Sequence, residues 1–173
     1  MVPEHTFDDF VRARSAALLR TSYALTGDWG HAEDLLQDVL ERMHPKWRSI
    51  RDSPDAYARR ALVNHASSRW RHRGRRPRER AWAAHDDGPT LADPTDALAT
   101  RDLLVQALVQ LPARQRAAVV LRYLDDLTSI EAAAVLGCSI GTVKSQASRG
   151  VARLREVLGA IDESALVEAR HEH

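Results

Sequence analysis

The side chains in this sequence that could do chemistry are sorted by charge, and the sorting suits binding better than catalysis. From Arg42 to Arg80 the chain carries a dense series of cations, Arg59, Arg60, Arg69, Arg71, Arg73, Arg75 and Arg76 among them, against only Asp52, Asp55 and Glu79. Such a segment favours a polyanion. Acids lie on both sides of it, with Asp28, Glu33, Asp34, Asp38 and Glu41 before and Asp86, Asp87, Asp93, Asp96 and Asp102 after, so the formal net charge of +1 conceals a strong internal asymmetry. His31, His44, His65, His72 and His85 are scattered, without the i, i+4 glutamate-flanked pairing of a zinc hydrolase. The single cysteine, Cys138, completes neither an internal disulfide nor a C-x-x-C pair. There is no phosphate-cradling glycine loop and no nucleophile elbow. No catalytic residue, metal or cofactor is expected.

A second group of polar residues runs from Thr128 to Leu154. Thr128-Ser129-Ile130-Glu131 reads as a capping box at a helix start. Gly137 can take the left-handed backbone of a sharp turn, and Ser139 can cap a second helix with Val143, Ala147, Val151 and Leu154 on its buried side. This is a helix-turn-helix pattern. It leaves Thr142, Lys144, Ser145, Ser148 and Arg149 facing outward, with the donors and positive charge that base edges and phosphates attract. An ordinary helical hairpin with a solvated polar face fits the same spacing.

The elements that must position these groups are helices. β-branched residues are sparse and nowhere alternate over a strand length. Phe7, Phe10, Val11, Leu18 and Leu25 share a face of a first helix that ends at Thr26-Gly27-Asp28. A second helix turns Ala32, Leu35, Leu36, Val39, Leu40 and Met43 inward and Asp34, Gln37, Asp38 and Glu41 outward, until Pro45 stops or kinks it. Ser53-Pro54 opens a third, on which Tyr57, Ala61, Leu62, Ala66 and Trp70 form the packing face and Arg60, Asn64, Ser67 and Arg71 a polar one. Asp86-Asp87-Gly88-Pro89 and Asp93-Pro94 have the composition of a flexible connection. Pro112 then opens a helix containing Val119, Val120, Tyr123 and Leu124.

With 173 residues, 44% hydrophobic and 28% charged, the expected fold is all-α: two small helical domains joined by a flexible linker. The boundaries fall at 1–80, an acidic linker at 81–95, a second domain at 96–158 and a tail at 159–173. No apolar stretch is long enough to span a membrane, and the first residues lack the pattern of a signal peptide, so a cytoplasmic location is expected.

These residues also resemble a known family. Gly137-Cys138-Ser139-Ile140-Gly141-Thr142-Val143-Lys144-Ser145, followed by Ala152-Arg153-Leu154-Arg155, is similar to the region-four signature of the extracytoplasmic-function (ECF) sigma factors, small bacterial members of the sigma-70 family. Leu111-Pro112-Ala113-Arg114-Gln115-Arg116 resembles the helix before it. Ala32-Glu33-Asp34-Leu35-Leu36-Gln37-Asp38-Val39 resembles the region-two helix that grips the clamp helices of the polymerase largest subunit. Val63-Asn64-His65 and Arg73-Gly74-Arg75-Arg76-Pro77 resemble the segment that melts and reads the minus-10 element. The likeness covers Phe7 to Arg155 and leans toward the actinobacterial sigma-E-like subgroup.

The resemblance implies three partners: core RNA polymerase, through its clamp helices and flap, promoter DNA, and an anti-sigma factor. It implies polymerase contacts from Asp34, Leu35, Gln37, Asp38 and Glu41. Minus-10 contacts would come from Ile50, Arg59, Arg60, Asn64, Arg71, Arg73, Arg75 and Arg76, and minus-35 contacts from Ser139, Thr142, Lys144, Ser145, Gln146, Ser148 and Arg149. Asn64 matches a position that helps hold a flipped base. Ile50 stands where some relatives carry an aromatic, which weakens base stacking there, and Gln146 where arginine is common, which weakens phosphate attraction or alters the minus-35 sequence read. A helix-turn-helix regulator that never contacts polymerase would explain the second half, but not the acidic helix around Asp38 or the arginine series after Asn64.

Overall fold

The computed structural model of the chain describes residues 6–50, 53–73 and 95–171. Among these every regular element is helical. The first, α1 (Phe7–Thr26), starts in a capping box: Thr6 Oγ1 accepts from the Asp9 amide at 3.2 Å, and the Asp9 carboxylate accepts from the Thr6 amide at 3.1 Å. It stops at Gly27, whose φ of +76° lets its amide return to the Tyr23 carbonyl at 2.7 Å. Asp28 then caps α2 (Trp29–Met43) by accepting from the His31 amide at 2.8 Å. So short a joint folds α2 back against α1. After a 3₁₀ segment (His44–Ser49), Ser53 Oγ accepts from the Ala56 amide at 3.2 Å and opens α3 (Pro54–Arg73), which packs on both.

Leu18, Leu35, Val39, Met43 and Leu62 are fully buried where α1, α2 and α3 meet. Each such side chain contributes about 1.5–3 kcal/mol. The packing face of α3 follows the sequence expectation at Leu62, which is buried, and at Ala61 and Ala66, which pack against the core, but not at Tyr57, and the Trp70 side chain lies outside the described residues. Ala58, Arg59, Leu62 and Val63 point inward, while Tyr57 is 37% exposed. Arg59 is held inside by Asp55 and Asp125, and the Tyr57 ring is left at the rim.

The second unit consists of α4 (Thr95–Leu108), α5 (Ala113–Val119), a π turn (Val120–Leu124), α6 (Ser129–Leu136) and α7 (Ile140–His171). Pro112 does open α5, but the helix widens after Val119, where the Asp125 amide reaches back five residues to the Val120 carbonyl at 3.0 Å. Asp126, at φ +52°, turns the chain into the next helix. The stretch beyond residue 158, expected as a tail, continues α7 to His171. The expected linker, residues 81–95, lies outside the described residues apart from Thr95 at the start of α4.

The two units meet over a shared interface. Val105 of α4 sits with Tyr23 and Ala32, and the Tyr23 ring stacks on Trp29 with centroids 4.0 Å apart. The Tyr23 hydroxyl donates to Asp102 at 3.0 Å. Burial first, and that hydrogen bond second, push its pKa up to about 12. A Cβ at Gly27, already at positive φ, would collide with Val109 Cγ1, so glycine suits this approach. Arg116 is buried, donating to the Leu25 carbonyl of α1 at 2.6 Å and to Val109 and Leu111 carbonyls at 3.0 and 3.1 Å. Loss of water lowers its pKa to about 10, which leaves it a cation at neutral pH.

Candidate functional site

On α2 the amphipathic pattern is realised as expected. Asp34, Gln37, Asp38 and Glu41 are exposed, and Gln37 Nε2 braces Glu41 Oε1 at 2.9 Å one turn on. Leu35, expected as part of this contact face, is instead 1% exposed and supports the face from beneath. Beside the acids lies a feature the sequence pattern did not separate from core. Phe7, Leu19, Leu36 and Leu40 line a groove of about 480 Å³ between α1 and α2, edged by Glu33, Gln37, Glu41 and His44. An apolar floor with acidic edges suits an amphipathic helix with basic flanks.

The expected minus-10 residues are only partly brought together. Asn64 and Arg60 are exposed on α3, and the Arg60 guanidinium donates to the Ala134 carbonyl of α6. Arg59, expected as a free DNA contact, is 5% exposed. It is held by Asp55 one turn before it and by Asp125 of the second unit. Ile50 is half-buried against the core. The helix carries the backbone of Arg71 and Arg73 in its last turn, and Arg75 and Arg76 lie outside the described residues.

The helix-turn-helix has the local chemistry its sequence demands. Thr128 Oγ1 accepts from the Glu131 amide at 3.2 Å, and the Glu131 carboxylate accepts from the Thr128 amide at 2.7 Å. Those bonds from Thr128, side chain first, hold the Glu131 carboxyl below its ordinary range. Gly137 turns the chain at φ +64°, and Ser139 Oγ caps α7 by accepting from the Thr142 amide at 3.1 Å. Val143 and Ala147 are buried. Ser139, Lys144, Ser145, Ser148 and Arg149 are exposed, with Thr142 and Gln146 half-buried between them.

Residues 10–76 match Sigma-70 region 2, and residues 101–154 match Sigma-70, region 4. The RNA polymerase sigma-E factor of Streptomyces coelicolor is 40% identical over 168 residues, covering 96% of this chain and 93% of the relative. The ECF RNA polymerase sigma factor SigM of Mycobacterium tuberculosis is 31% identical over 160 residues, covering 91% and 80%. This chain is an ECF sigma factor. Among solved structures, the sigma factor RpoE of Bartonella quintana, in complex with the anti-sigma factor NepR, is 31% identical, with a TM-score of 0.66 over 88% of this chain and 98% of that one. The fold is therefore that of sigma regions 2 and 4, helical as the sequence implied.

In this sigma factor a second groove, of about 390 Å³, runs alongside the recognition helix. It is lined by Arg122, Tyr123, Ser129, Lys144, Ser148 and Arg155, together with small apolar residues of α7. Three cations thus line one groove, and the Arg122 guanidinium also donates to the Leu127 carbonyl. Arg122 and Arg155 were not singled out from the sequence. Lys144, Ser148, Ala152 and Arg155 do form one stripe of α7 at helical spacing, a signal that reaches Arg155 but not Arg122 on the π turn. Replacing both arginines by alanine should lower affinity for duplex DNA irrespective of its sequence and reduce the slope of log affinity against log salt by about 2. Fluorescence anisotropy over a salt series measures both effects.

Proposed function

We propose that this sigma factor binds core RNA polymerase through the acidic face of α2 and its adjoining groove, and directs it to promoters through α3 at the minus-10 element and α7 at the minus-35 element. The observation that carries this reading is the presence, in one chain, of an acid-rimmed apolar groove and a cation-lined recognition helix. The first repels DNA and receives a basic amphipathic helix, the chemistry expected of the polymerase clamp helices. The second attracts DNA. Asn64, exposed on α3, is suited to hydrogen-bond a base drawn out of the nontemplate strand, offsetting an unstacking cost of a few kcal/mol.

In this reading the first unit extends to about residue 80, the acidic stretch 81–95 tethers it, and the second unit extends to about residue 158. The protein acts in the cytoplasm and contributes binding, not chemistry, to initiation. The Bartonella relative was solved with an anti-sigma factor, and the α1–α2 groove offers a partner of that kind the same apolar floor.

Runoff transcription with purified core polymerase tests the reading. Transcripts should start at defined positions on a promoter library only when both core and this chain are present. Binding to DNA with no transcript under any core concentration would make the protein a free-standing regulator.

A further inference from the structure

A contact outside the surfaces assigned so far joins the docking helix α2 to the base-reading helix α3. Arg42, in the last turn of α2, brings Nη1 to 2.5 Å from His65 Nε2 on α3, 23 positions later. Arg42 follows directly on Glu41 of the acidic face, and His65 follows directly on Asn64. Arg42 is exposed and His65 half-buried, while Leu62 and Val63, just before Asn64, are in the core. The core thus fixes the inner side of this turn of α3, and Arg42 holds its flank.

The chemistry of the pair sets a condition on the histidine. A guanidinium offers N–H donors and no acceptor, so His65 Nε2 must present its lone pair. His65 is therefore neutral in this contact, with its ring proton on Nδ1. A proton added at Nε2 removes the acceptor and sets two cations against each other. Of the other charged groups on the elements packed here, Asp38, Glu41, His44 and Lys46 are exposed within one turn of Arg42, and Arg69 follows one turn after His65 along α3. Glu41 is braced by Gln37, Glu131 of α6 is engaged by Thr128, and Arg14 of α1 is turned to Asp55.

Base reading by Asn64 depends on where α3 places it, because a recognition group must be held within about 0.5 Å of its productive position. We propose that Arg42 and neutral His65 form a positioning pair that ties α2 to the Asn64 turn of α3, so that minus-10 reading is strong while His65 is neutral and weakens when it takes up a proton. Both residues act through Asn64, and neither is assigned a contact with the base. This inference rests on the sigma-factor reading given above.

The test uses this chain bound to core polymerase and nontemplate-strand oligodeoxynucleotides from the strongest promoter found by runoff transcription, one with its minus-10 element intact and one with that element scrambled. The ratio of the two affinities isolates base reading, since phosphate attraction is common to both. From about pH 8 to about pH 5, the range over which histidine changes charge, the ratio should fall about tenfold, a usual size for coupling between two sites. His65→Gln, whose side-chain oxygen accepts from Arg42 without titrating, should keep the high ratio throughout, which separates His65 from His44 and the other histidines. Arg42→Ala should give the low ratio at both ends of the range. Arg42 is exposed, so its truncation opens no cavity. In nitrogen NMR of the free chain at about pH 8, His65 should show the Nδ1–H tautomer.

A fall in the ratio that persists in His65→Gln, a ratio unchanged by Arg42→Ala, or the Nε2–H tautomer at His65 would overturn the pair. If His65→Gln loses helix content by circular dichroism, Arg42→Ala against the unaltered chain gives the decisive comparison. No discrimination by any form with core polymerase, with the Nδ1–H tautomer present, would uphold the contact and overturn the sigma-factor reading instead.

Discussion

Asp38→Arg should reduce affinity for core RNA polymerase by roughly 100-fold, about 3 kcal/mol, while leaving the melting temperature within a degree or two. Asp38 is exposed at the middle of the outward face of α2, and among the described residues it has no ion-pair partner. Its removal therefore strands no group within the fold. Arginine is also the better helix former, so α2 itself is not weakened. The loss arises wholly at the docking surface, where an attraction to a basic helix becomes a repulsion. Titrating labelled core polymerase against the two proteins measures it, with circular dichroism melts run in parallel. Equal affinities would remove the acidic face from the interface.

The second large effect is expected at the other end of the molecule. Lys144→Ala with Arg149→Ala should weaken binding to a minus-35 duplex by roughly 100- to 1000-fold, since each side chain's hold on a base or phosphate is worth about 1–3 kcal/mol. Both side chains are exposed on α7 while Val143 and Ala147 are buried, so truncating them opens no cavity. Core polymerase affinity should stay at its starting value, because neither residue lies near α2. Anisotropy on the duplex and titration on core separate the two outcomes. A parallel drop in core affinity would mean that the second unit also carries a major part of the polymerase contact.

The local features were legible from the sequence because each is decided by residues three or four apart. The Thr128–Glu131 capping box, the left-handed Gly137, the Ser139 cap and the inward and outward faces of α2 all stand as read. What the sequence did not disclose depends on pairs far apart in the chain. Arg59 looked like one more member of an arginine series, and nothing in its spacing indicates Asp125, 66 positions later. Its pairing with Asp55 and Asp125 is what allows an arginine to be buried on α3. The α1–α2 groove was hidden because periodicity marks Leu36 and Leu40 as apolar without saying whether a neighbouring helix covers them.

The proposed DNA-reading positions just after Ser139 and the far end of α7 belong to one uninterrupted helix of 32 residues, about 48 Å of rod at roughly 1.5 Å per residue. A rod of that length works as a lever arm. Tilting its distal end by a few ångströms swings the recognition positions through the same angle, with no hinge between to absorb the motion. Whatever is tethered near His171, whether a reporter dye or a protein, is geared mechanically to the reading head.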